Sequence, residues 1–166
     1  MKKLLMLLVV FLAACSYDVS LAELKKQYPK AVKEKIAELP TTIQRQLTIP
    51  KQLPFQPTYV NFGYETVSSQ SDEITRTEFL ISNQEVNLHV VHWYTELKDH
   101  DDQKLGKVNL NGTKAVVLSD KENVKQLEWE KSDGSTMTLS LIISEDSEGK
   151  YTLRDLVDAA QSMDEG

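Results

Sequence analysis

From Thr58 onward the apolar residues recur at a period of two, and that pattern constrains this chain more than any other feature. In Met137, Leu139, Leu141 and Ile143 the apolar positions alternate with Thr138 and Ser140, as a strand with one buried face requires. Ile142 is an extra apolar residue on the other face. Tyr59 to Val67, Ile74 to Ser82 and the run Val86, Leu88, Val90 carry the same strand chemistry, with polar breaks at Ser68 to Asp72 and Asn83-Gln84. Asn111-Gly112 separates Lys107–Leu110 from Thr113–Leu118, the preferred chemistry of a type I′ hairpin turn. Asp133-Gly134 separates Val124–Lys131 from Ser135–Ile143. The pattern predicts an antiparallel meander.

Two helical patterns flank it. Ser20 and Glu23 have the spacing of a capping box, and Leu21, Leu24, Tyr28, Val32, Ile36 and Leu39 form one apolar stripe. Pro29 lacks an N–H and pushes Tyr28 from helical angles, which predicts two short helices or one kinked at Pro29. At the other end Thr152 and Asp155 cap a helix, with Tyr151 and Leu156 as a hydrophobic staple. Its buried face is expected to hold Leu153, Leu156, Val157, Ala160 and Met163. Between these parts Pro40, Pro50, Pro54 and Pro57 punctuate a connector. It should contain neither a central strand nor a long helix, and is expected to cross the surface as an extended connector with edge-strand pieces around Gln46–Ile49. The fold class that follows is α+β, a single domain over residues 20–166.

The first residues have a different character. Lys2 and Lys3 precede the apolar run Leu4 to Phe11, and Leu12-Ala13-Ala14-Cys15 closes it with small residues and the sole cysteine. This is the organisation of a secretory leader. A cysteine in that place resembles the lipobox of bacterial lipoproteins. The resemblance implies cleavage between Ala14 and Cys15, and a thiol acylated with palmitate-type lipid as the mature N-terminus. Residues 1–14 are then the signal peptide and 15–19 a lipid-anchored tether of about 15 Å at ~3.3 Å per residue. A membrane helix holding an incidental cysteine is the competing reading, but a span needs about 20 apolar residues. An ordinary secretory signal is the other. The expected location is the extracytoplasmic face of the cell membrane, held by the acyl chains.

Charge then limits the partners. Loss of Lys2 and Lys3 would take the formal charge from −6 to −8, which excludes the basic footprint of a nucleic-acid binder. The excess is +3 over residues 15–57 and −11 beyond them. The basic part is therefore expected near anionic headgroups with the acidic body projecting away; a solvated helix face without orienting role is the alternative. With one cysteine there is no disulfide framework.

Ile49-Pro50-Lys51-Gln52-Leu53-Pro54-Phe55, the hairpin Val108–Val117 around Asn111-Gly112-Thr113, Leu127-Glu128-Trp129 with Asp133-Gly134, and the ending Ala159-Ala160-Gln161-Ser162-Met163 share a further likeness. Together, over about residues 48–163, they resemble a domain of unknown function in surface lipoproteins and anti-sigma-type proteins of Bacillus-like Gram-positive bacteria. That domain is distantly similar to Lol-type lipoprotein carriers. The resemblance implies a curved antiparallel sheet, a partial half-barrel over helices, without catalytic residues to transfer. The chain lacks the extra strands of a full carrier.

Side chains with reactive chemistry are sparse. His89, His92, Asp99, His100, Asp101 and Asp102 suit a metal by type, but His89 and His92 are three apart and point to opposite faces of a strand. No metal and no cofactor is expected. No Gly-x-Ser-x-Gly elbow, phosphate-binding glycine loop or singled-out carboxylate pair is present, so the chain reads as non-enzymatic, with an envelope hydrolase the remotest reading. Tyr59, Phe62, Tyr64, Trp93, Tyr94 and Trp129 either line a cleft for an acyl chain, glycan or peptide or fill the core; for both tryptophans the core is expected. The functional expectation is a binding module for a hydrophobic ligand or envelope component. The alternative is a protein-interaction lipoprotein without a small-molecule pocket.

Overall fold

The computed structural model describes residues 16–68, 70–95 and 105–163. Strand β1 (Tyr17–Asp18) leads to helix α1 (Leu21–Gln27), a π-helical segment Pro29–Glu34, and helices α2 (Lys35–Ala37) and α3 (Thr41–Gln46). Strand β2 (Gln52–Leu53) follows, then β3 (Tyr59–Thr66), β4 (Ile74–Ser82), β5 (Val86–Trp93), β6 (Gly106–Leu110), β7 (Thr113–Lys121), β8 (Val124–Glu130) and β9 (Thr136–Ile143). A 3-10 turn at Glu145–Ser147 precedes helix α4 (Leu153–Gln161). The architecture is α+β, with seven strands in one open antiparallel sheet and helices from both ends of the chain.

The sheet is not the single meander expected. Its order is β3-β4-β5-β9-β8-β7-β6, two meanders joined where β9 pairs with β5. Val90 faces Leu139, which faces Leu127, so the inner rungs of both halves align. The helices lie on this inner face: the π segment and α2 against β3, and α4 against β6, β8 and β9. Phe62, Phe79, Leu88, Leu127, Leu139 and Leu141 are fully buried between the layers.

Local chemistry explains the element ends. Ser20 Oγ accepts from the Glu23 N–H while the Glu23 carboxylate accepts from the Ser20 N–H, and Thr152 and Asp155 repeat the arrangement before α4. Tyr28, at φ −122° and ψ 62°, breaks the first helix. Pro29 then opens the π segment, where a missing N–H removes no bond. Asn111 and Gly112 both have positive φ, 54° and 110°, as the two-residue turn requires. The Asp133-Gly134 loop is longer. The Gly134 N–H donates to the Lys131 carbonyl and Gly134 takes φ 81°, so a turn is followed by a left-handed glycine.

Four further expectations change. The proline-punctuated connector contains α3, because Pro40 stands just before the helix and interrupts no bond within it. Its strand piece is Gln52–Leu53, not Gln46–Ile49, since β2 finds a partner in β1. Residues 17–19, expected in a free tether, are pinned: Tyr17 pairs with Leu53, Asp18 with Gln52, and the Val19 N–H donates to the Lys51 carbonyl at 2.8 Å. On α4 the buried set includes Ala159, which the stripe omitted; Leu153, Val157 and Met163 pack at its margin. Among the described residues no helix is long and apolar enough to cross a membrane.

Candidate functional site

Alternation leaves the opposite face of the sheet without a helix among the described residues, and this face carries an extended groove. Four rungs cross it. Ile142 lies beside Val124, and His89 faces Ser140, which faces Gln126 on its other side. Glu78, Val91, Thr138 and Glu128 form the third rung, and Arg76 lies opposite Trp93. Together with Leu118 of β7 they enclose an open groove of about 520 Å³. Ile142 is 41 % exposed, a large apolar side chain on an otherwise mixed surface.

The polar residues of the groove are already organised. Arg76 donates to Glu65 at 2.6 Å, lies 3.9 Å from Glu78, and stands over the Trp93 ring at 5.1 Å. A cation over an indole face gains from the ring's quadrupole. His89 Nδ1 meets the Glu78 carboxylate at 2.6 Å. The Trp93 indole N–H donates to Thr138 Oγ1 at 3.2 Å. Trp93 is therefore a fixed, half-exposed platform on the outer face, not the core residue expected. The adjacent pair Val90-Val91 hid its side of the strand. Trp129, on the inner face, packs at the margin of the core.

His92 faces inward, opposite to His89, and is buried. Its Nε2 lies 2.6 Å from Ser135 Oγ, and Ser135 in turn donates to Asp133 at 2.5 Å. With the hydroxyl proton on Asp133, the imidazole must carry its own proton on Nε2. Nδ1 is then an acceptor with no partner among the described residues. The ring packs on Tyr94 with centroids 4.2 Å apart, and Tyr94 shares a hydrogen bond with Thr77. Burial and, to a smaller extent, the Lys131 charge lower the His92 pKa and Asp133 opposes them, leaving it at about 4. The Ser135 hydroxyl holds the Asp133 carboxyl below its usual range. The Ser135 hydroxyl proton is thus directed at the Asp133 carboxylate and not at the imidazole. The cluster fastens the β8–β9 hairpin to β5.

Two other openings lie among the described residues. A cavity of about 90 Å³ lies between the end of α4 and the sheet, against Trp129, Met137 and Met163. That is room for about three waters at ~30 Å³ each. A cleft of about 500 Å³ lies between the β1–β2 pair and α4, lined by Ser16, Leu53, Pro54, Tyr151 and Asp158. Burial and the Glu85 carboxylate push the Tyr151 hydroxyl up to about 12, while hydrogen bonds from Lys150 and Tyr151 lower the Glu85 carboxyl.

Ala14, Cys15, Asp99, His100, Asp101 and Asp102 lie outside the described residues. Among the described residues no three His, Cys, Asp or Glu side chains converge as a metal site would require. Sequence reading missed the Arg76–Glu78–His89 network and the Ser135 bridge. The first joins residues of adjacent strands and the second ties β5 to the loop before β9, so neither is visible in the local sequence. Comparison of the chain with family models, curated proteins and solved structures finds no match.

Proposed function

We propose that this protein is a non-enzymatic envelope lipoprotein, anchored through acylated Cys15 at the extracytoplasmic face of the membrane, that binds another envelope protein through the outer face of its sheet. The observation that carries the reading is the groove around Trp93, Val91 and Ile142 on a sheet whose inner face is filled. Apolar side chains set among ordered polar ones, an aromatic with them, are what interface cores select. Register shifts at Glu65/Thr66 and Val117/Ser119 bend strands. They support a curved sheet, a partial half-barrel whose concave side is occupied by its own helices. The resemblance of residues 48–163 to the surface-lipoprotein domain belongs to the same reading.

A photoreactive side chain in place of Ile142, in the full lipoprotein within its host envelope, tests the binding face. One discrete cross-linked protein is expected from position 142 and none from position 34 on the π segment. Equal labelling at both positions would remove the groove from consideration. A hydrophobic ligand is the second reading, favoured by the cavity beneath Trp129 and Met163. It predicts that native mass spectrometry of the extracted lipoprotein shows a small added mass, lost on denaturation; the protein-partner reading predicts a bare mass.

The anchor has its own test. Cys15→Ser is expected to move the protein from the membrane fraction to the soluble fraction, because two acyl chains supply the stable attachment. Sedimentation of the variant with membranes in high salt would show that something other than lipid holds it.

A further inference from the structure

Ser16 lines an opening of about 500 Å³ between the β1–β2 pair and α4, and Cys15 is the residue before it in the sequence. Ser16 is not free to swing away, because Tyr17 and Asp18 are paired with Leu53 and Gln52 and the Val19 N–H is bonded to the Lys51 carbonyl.

The walls are fixed to each other as well. The Gln52 N–H donates to Ser162 Oγ at 3.0 Å, tying β2 to the end of α4. On the far side Lys150 and Tyr151 both bond the Glu85 carboxylate. Leu53, Pro54 and Ala159 give an apolar lining, and Lys150, Asp158 and Gln161 a polar one. The volume lies within the ~300–1,000 Å³ of preformed ligand pockets.

We infer that this cleft is the seat of the chain's own processed N-terminus, the S-glyceryl group on Cys15; the inference rests on the lipoprotein reading above. The thioether and glycerol carbons meet Pro54, behind which Leu53 and Ala159 are buried. The ester carbonyls only accept hydrogen bonds, and Lys150 has ammonium protons beyond the one directed at Glu85. The acyl chains leave the mouth of the cleft for the bilayer. The domain then has no tether, and one side of it, the β1–β2 pair with α4, is held toward the membrane.

Asp158 lies on the exposed rim, and its pair with Arg154 is a surface contact of little weight. The full lipoprotein carrying a benzophenone side chain in place of Asp158 is reconstituted in phosphatidylglycerol–phosphatidylethanolamine vesicles, irradiated and digested. The expected product joins the peptide containing position 158 to the lipid-bearing Cys15 of the same molecule, and the same group at position 34 yields none. Labelling of bulk phospholipid alone from position 158 overturns the inference. An intact mass with lipid on Cys15 but no such product removes the cleft and leaves the anchor standing. An intact mass without lipid on Cys15 removes both.

Discussion

Leu139→Ala is expected to lower the unfolding free energy by about 3 kcal/mol, within the ~2–5 kcal/mol range of buried leucine truncations. Leu139 is fully buried, faces Val90 on one neighbour and Leu127 on the other, and lies on a strand that α4 covers. The surrounding rungs belong to both halves of the sheet, so the void cannot close without shifting their register. For a chain of this length the loss corresponds to a fall of about 10 °C in Tm. Ile142→Ala, three residues along the same strand but outward-facing, should change stability by no more than ~0.5 kcal/mol. Denaturant unfolding of the two variants measures the contrast. Comparable losses would mean that the inward and outward faces of β9 have been wrongly assigned.

Between pH 6.5 and 4 the protein should lose up to about 3 kcal/mol of stability through His92 alone. The folded pKa is about 4 against an ordinary value of 6.5, and one unit corresponds to ~1.4 kcal/mol. The sign follows from proton uptake. In this window the unfolded chain binds a proton at residue 92 and the folded chain does not, so stability falls as pH falls. Above pH 6.5 the contribution is fully present; below about 4 both states are protonated and the slope from this group ends. Protonation would place charge on a buried ring whose Nδ1 has no acceptor among the described residues. Asp133 and Glu85, with lowered carboxyl values, add losses of the same sign at more acid pH. Unfolding of the parent and of His92→Gln across pH 7.5 to 4 separates the terms. The variant should start less stable and decline less; parallel declines would assign the acid sensitivity to other groups.

What could be read from the sequence divides by distance along the chain. Ser20 with Glu23, Thr152 with Asp155, and Asn111-Gly112 act over three residues or fewer, and each stands where its chemistry places it. The alternation of Met137, Leu139, Leu141 and Ile143 set the inward face of β9 for the same reason. The pairing of β5 with β9 joins Val86 to Ile143, and nothing local in either strand names the other. The same limit hid β1, whose two residues become a strand only because Gln52–Leu53 lies beside them. Helix α3 was obscured differently: proline density argued for extended chain, although Pro40 and Pro50 bracket enough residues for a short helix. In the outer groove the residue types were visible and their adjacency was not. Arg76, Trp93 and Glu65 come from three strands and meet only through register.

The place of β9 also dictates when this sheet can exist. Until residues 136–143 are available, the chain holds two separate three-stranded pieces, β3-β4-β5 and β6-β7-β8, each missing the neighbour that covers its open edge. Neither end of synthesis can complete the core alone, since the long-range pairing must wait for the last strand. A chain threaded through a membrane from its N-terminus would therefore stay unlocked, and transportable, until nearly all of it had crossed.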